Sequence, residues 1–81
     1  MKLPRDVSGQ DLARALRIYG YAITRQTGSH MRLTTSDRGE HHLTIPGHAA
    51  LRVGTLASIL GEVAAHFEIE REAVVRRLFG L

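Results

Sequence analysis

The stretch Tyr21-Ala22-Ile23-Thr24-Arg25-Gln26-Thr27-Gly28-Ser29-His30-Met31-Arg32-Leu33-Thr34-Thr35 reads as two strands around a turn. Residues 21–26 form the first strand, Thr27-Gly28 marks the turn, and residues 29–35 form the second. In the second strand Met31 and Leu33 alternate with His30, Arg32 and Thr34, so one face is apolar and the other polar. Ser36-Asp37-Arg38-Gly39 is the next turn signal. Residues 40–45 follow as a third strand, with Leu43 and Ile45 toward the core. Connections this short predict an antiparallel meander. Only one face of so narrow a sheet can be covered, and helices must cover it.

Helices flank the meander on both sides. Residues 8–19 carry Leu12, Leu16 and Tyr19 on one face, Ser8 and Asp11 in a capping-box arrangement, and Gly20 as a stop. Pro46 ends the sheet and leads into a small, flexible loop, Gly47 to Arg52. Thr55 is placed to cap a second long helix whose stripe is Leu56, Ile59, Leu60, Val63 and Phe67. Residues 70–79 predict a short last helix with Val74, Val75 and Leu78 inward. The fold class is α+β, a single two-layer domain over residues 1–81. Its order is α-β-β-β-α plus a short C-terminal helix, and one sheet face stays open.

A chain of 81 residues has room for one thin core and no deep pocket, so a polymer suits it better than a metabolite. Its formal net charge is +3, and Lys2 is the one cation that is not an arginine. Arginine's planar fork grips phosphate at two points, which fits nucleic acid as well as a merely solvated surface. The absence of cysteine excludes disulfide scaffolds, thiolate metal sites and cysteine nucleophiles, and is compatible with a cytoplasmic location. No apolar run approaches the ~18 residues of a membrane helix, and no signal peptide opens the chain. Aromatics make up 5% of the residues, too few for a base-stacking platform.

The chemistry centres on Arg25-Gln26-Thr27-Gly28-Ser29-His30-Met31-Arg32. Alternation puts His30 and Arg32 together on the open face, and Gly28 lets a phosphate approach the backbone closely. Imidazole, with an ordinary pKa of about 6.5, exchanges protons near neutrality without a metal. RNA cleavage needs a base for the 2′-hydroxyl and cations for the charge on the phosphorane. His30 can supply the first, and Arg25, Arg32 and Lys2 the second. On spacing alone, a single exposed histidine is more often plain surface, since dyads and triads are the usual marks of catalysis. Among the other histidines, His41 belongs with the core-facing residues of the third strand. His42 shares the open face, where it could approach His30 as a general acid. His48 lies on the loop as a phosphate contact or bland surface, and His66 complements the end of its helix. A metal site from His41, His42 and His48 lacks ligand spacing, and no metal or other cofactor is implied.

Arg25-Gln26-Thr27-Gly28-Ser29-His30 resembles the motif of the HicA, or YcfA-like, toxin family. So do the Ser8-Gly9-Gln10-Asp11-Leu12 opening, the Tyr19-Gly20-Tyr21 turn, His42-Leu43-Thr44-Ile45-Pro46 with His48, and Gly54-Thr55-Leu56-Ala57-Ser58-Ile59-Leu60. Together they span nearly the whole chain. The resemblance implies a fold like the double-stranded RNA-binding domain and metal-independent cleavage of mRNA. It also implies neutralisation by a HicB-like antitoxin. Residue by residue, His30 matches the family's catalytic histidine, and Gly28 and Ser29 shape its surroundings. Thr27 stands where the family has a lysine, and Arg52 takes the place of lysines in the loop before the second long helix. The expected RNA contacts are Lys2, Arg25, Gly28, Ser29, Arg32, His42, His48 and Arg52.

Two other classes fit parts of the pattern. One is a noncatalytic module that binds double-stranded RNA or the ribosome through phosphates and A-form shape, which would not need His30. The other is a pure interaction partner whose open sheet is covered by protein. The terminal helix is apolar enough to pack within the chain or between two copies, so a homodimer and a toxin–antitoxin hetero-oligomer both remain open.

Overall fold

A computed structural model describes residues 3–80. Lys2, one of the expected phosphate contacts, lies outside the described residues. Helix α1 (Gly9–Ala15) tightens into a 3-10 turn (Leu16–Tyr19), and strands β1 (Ala22–Thr27), β2 (His30–Thr35) and β3 (His41–Pro46) follow. Helices α2 (Val53–Phe67) and α3 (Arg71–Phe79) complete the order. The strands form one antiparallel sheet in the order β1-β2-β3. The expected α+β meander is therefore the architecture, in the layout of a double-stranded RNA-binding domain. No helix among the described residues is long and apolar enough to cross a membrane.

One core unites the layers. Met31, Leu33, Leu43 and Ile45 of the sheet are almost fully buried. They join Leu12 and Leu16, the α2 stripe Leu56, Ile59, Leu60, Val63 and Phe67, and Val74 and Val75 of α3. The molecule's shortest extent is 17 Å, the thickness of two layers and no more. His30, Arg32, His42 and Thr44 are exposed on the other sheet face.

Caps and turns set the boundaries. The capping box is formed: Asp11 N–H donates to Ser8 Oγ at 2.9 Å, and the Ser8 N–H donates to the Asp11 carboxylate at 3.5 Å. Gly20 ends the 3-10 turn with φ of 83°, a left-handed conformation that suits glycine. Beneath it the buried Thr35 hydroxyl donates to Tyr19 C=O and accepts from Asp37 N–H.

Three expectations are corrected. The first strand begins at Ala22, because Tyr21 is drawn into the core and its hydroxyl pairs with His41 Nδ1 at 2.8 Å. The second long helix is capped at Arg52 rather than Thr55, and no side chain bonds its first turn. The loop before it is tied down rather than free. Gly47 N–H donates to Ser29 C=O, Gly9 N–H to His48 C=O, and Leu51 N–H to Val7 C=O.

His41 and His66 form a second polar cluster on the core side of β3. Their rings stack at 4.5 Å, and His66 Nε2 donates to Asp37 C=O at 2.8 Å, a specific partner beyond the helix end. Burial, with the neighbouring His66, lowers the pKa of His41. Glu62 opposes the shift and His42 adds to it. Burial pushes the Tyr21 phenol up to about 12, assisted by the Glu62 carboxylate. The phenol therefore stays protonated and can donate to neutral His41. A histidine with a lowered folded-state pKa binds protons more readily when unfolded. Its contribution is thus intact above about pH 6.5 and is lost as pH falls through the unfolded value toward the folded one. The melting temperature should fall between pH 7.5 and 5.5, and His41→Asn should reduce that dependence. A dependence identical in the two chains would remove His41 as its source.

Candidate functional site

A two-residue turn, Gly28-Ser29, joins β1 to β2, with Thr27 paired to His30 across it. Gly28 has φ of 54°, as a tight hairpin requires at its first central position, and nothing crowds the space around it. His30 is therefore the first residue of β2, exposed on the open face directly after a tight turn. Ser29 Oγ and His30 Nδ1 are hydrogen-bonded at 3.3 Å, and Nε2 has no hydrogen-bond partner among the described residues.

A β-bulge places the cations. Ile23 pairs with Leu33 and Arg25 with Arg32, so Thr24 is an extra residue in β1. Unbroken alternation would put Ile23 and Arg25 on one face. The bulge sends Ile23 to the core side and Arg25 to the open side. The hydroxyl of Thr24 holds the bulge by donating to Arg32 C=O and pairing with the hydroxyl of Thr34. Arg25 and Arg32 are thus directly opposite each other, a like-charge pair that costs stability when unneutralised. Neither is in an ion pair among the described residues. With Thr27, His30 and Thr44 they line a shallow depression.

A second hollow meets the first at His30 and Thr44. It runs between β3 and α2 and is lined by Pro46, Gly54, Thr55, Ser58, Ile59 and Glu62. Sequence reasoning passed over this wall. The available signal was the spacing of Thr55, Ser58 and Glu62, which places a polar stripe beside the apolar stripe of α2.

The remaining candidates are dispersed. His42 pairs with Thr34, whereas His30 pairs with Pro46, four residues away along the strand. The separation is about 13 Å at the usual rise, so the expected approach of His42 to His30 is not made. Its ring instead bonds Thr34 Oγ1 and Glu40 Oε2, both at 2.8 Å. His48 lies on the exposed loop just past Gly47, and its side chain lines neither hollow. Arg52 is the N-cap residue of α2, and its side chain lines neither hollow. Among the described residues, no three histidine or acidic side chains stand together as metal ligands would.

The family model of the HicA toxin of bacterial toxin–antitoxin systems matches residues 9–64. The chain belongs to the HicA toxin family. The match runs from the first turn of α1 to the last turns of α2, so it contains the whole sheet, the Gly28-Ser29-His30 turn and both hollows. A place in this family makes the chain a toxin of a toxin–antitoxin system. No curated protein and no solved structure gave a significant match.

Proposed function

We propose that this HicA-family chain is a metal-independent endoribonuclease that cleaves mRNA and so arrests translation in the cytoplasm. The observation that carries the reading is the unneutralised Arg25–Arg32 pair in one depression with His30, whose Nε2 has no partner among the described residues. A scissile phosphate bound between the arginines relieves their repulsion and meets the imidazole. With Nδ1–H donating to Ser29 Oγ, Nε2 carries the lone pair and takes the proton of the 2′-hydroxyl. The 2′-oxygen attacks phosphorus, the two guanidiniums balance the phosphorane charge, and the bond to the 5′-oxygen breaks. His42 stands too far along the sheet to protonate that oxygen, which takes its proton from solvent on the open face. The products are a 2′,3′-cyclic phosphate and a 5′-hydroxyl.

Digestion of a long mRNA in EDTA, with analysis of the fragment ends, tests this chemistry. Fragments carrying those ends from the parent chain, and none from His30→Ala, are expected. Binding without cleavage by both chains would favour a noncatalytic RNA-binding module. Gly28, Ser29, His48 and Arg52 are read as flanking backbone or phosphate contacts, and His42 as a peripheral one.

A HicB-like antitoxin is the protein partner of this reading. Covering the basic face and His30 is the simplest inhibition, and acidic residues would be steered there by charge. Antitoxin affinity is therefore expected to weaken as salt rises from 50 to 500 mM, and calorimetry showing a salt-independent affinity would count against that interface.

A further inference from the structure

The two hollows that meet at His30 differ in chemistry. The first presents two guanidiniums, a lining suited to phosphate. The second, a groove of about 460 Å³, presents the hydroxyls of Thr44, Thr55 and Ser58 and the apolar side of Ile59. Its one carboxylate is that of Glu62. A carboxylate repels the phosphate backbone, so this groove does not suit the backbone that the first hollow suits. Hydroxyls, an apolar wall and a single acceptor suit the flat face and polar edge of a nucleobase.

Gly54 supports this independently. It lies in the first turn of α2, its φ is not left-handed, and a Cβ there would meet nothing within 4 Å. Neither packing nor backbone conformation calls for glycine, yet its bareness keeps the groove open beside His30. Glycine at such a position permits close approach of a ligand to the backbone.

The geometry points to the groove between β3 and α2 as a nucleobase subsite, in which Glu62 selects a base bearing an exocyclic amino group next to the scissile phosphate. This rests on the reading of the chain as an RNA-cleaving enzyme. Cytosine offers its 4-amino group to the carboxylate, as adenine offers its 6-amino group. Uracil presents carbonyl oxygens on both sides of its only N–H and is repelled. The subsite requires a base turned out of a helix, so the substrate is single-stranded at the cut.

Cytosine and uracil have the same size, which makes them the cleanest probe. In the His30→Ala background, which prevents cleavage, fluorescence anisotropy with labelled C12 and U12 RNA should show C12 bound about five- to tenfold more tightly. Glu62→Gln should bring the two within twofold by raising U12 affinity, because a repulsive charge is removed and an amide can donate as well as accept. Circular dichroism confirms that the variant folds. Equal affinity for C12 and U12, or a preference that survives Glu62→Gln, overturns the subsite. The parent chain separates the two readings. A C-over-U binding preference without cleavage supports the subsite and removes the enzyme. Cleavage with no depletion of uridine at the cut overturns the subsite and leaves the enzyme.

Discussion

His30→Ala is expected to lower the rate of mRNA cleavage by about 10²- to 10⁴-fold, the range that a positioned general base contributes. The residue is exposed at the start of β2 and supports no core contact, so its loss should leave the melting temperature within a degree or two. RNA affinity should change little, because Arg25 and Arg32 remain. His30→Gln should be as inactive as His30→Ala, since an amide keeps a hydrogen-bonding edge without a basic nitrogen. Added imidazole should restore part of the activity of the alanine variant, because the vacated space opens directly to solvent. Ser29→Ala removes only the orienting bond to Nδ1 and should cost less than tenfold. Rates are read from a labelled mRNA at saturating enzyme. Full activity in His30→Gln would eliminate proton transfer at this position, and activity retained in His30→Ala would place the chemistry elsewhere.

The sequence makes the second strand legible because its alternation is backed by burial: Met31, Leu33 and Thr35 are buried, and the residues between them are not. The α2 stripe and the Ser8–Asp11 cap are legible for similar local reasons. The bulge at Thr24 is not. Every residue of β1 is exposed, so its pattern carries no hydrophobic signal against which an extra residue would stand out. Without the bulge the face of Arg25 is undetermined, and with it the pairing that carries the proposed site. The placement of His42 fails for another reason. Alternation assigns its face correctly, but its distance from His30 depends on the β2–β3 register, which is fixed by which residues the Ser36–Gly39 turn leaves opposite each other. The partner of His66 and the groove wall on α2 exist only once the helix is docked. Local periodicity identifies the faces of elements, and tertiary packing decides which faces meet.

Gly9→Ala is expected to destabilise the domain by about 1–3 kcal/mol and to impair the site as well. A Cβ on Gly9 would overlap the carbonyl oxygen of Pro46 and crowd Gly47 Cα at 3.2 Å. Both neighbours are backbone, so no side chain can swing aside, and overpacking of this kind costs that amount. At about 4–8 °C per kcal/mol for a domain of this size, the melting temperature should drop by roughly 5–20 °C. The same backbone carries the site: Pro46 pairs with His30 across the sheet, and Gly47 N–H donates to Ser29 C=O. Relief of the overlap must move Pro46 and Gly47, and with them the turn that aims the imidazole. Gly20→Ala is the matched comparison. Its Cβ would meet the side-chain atoms Asp37 Oδ2 at 2.6 Å and Thr35 Oγ1 at 2.8 Å, which give more easily than backbone, but at φ of 83° the left-handed conformation alone costs roughly 1–2 kcal/mol, a loss within the same range. That overlap, however, lies at the far end of the sheet from His30. At a temperature where both variants are folded, Gly20→Ala should cleave at the parental rate and Gly9→Ala several-fold more slowly. Equal activities in the two variants, measured alongside their melting curves, would show that the β3 end and its loop do not position His30.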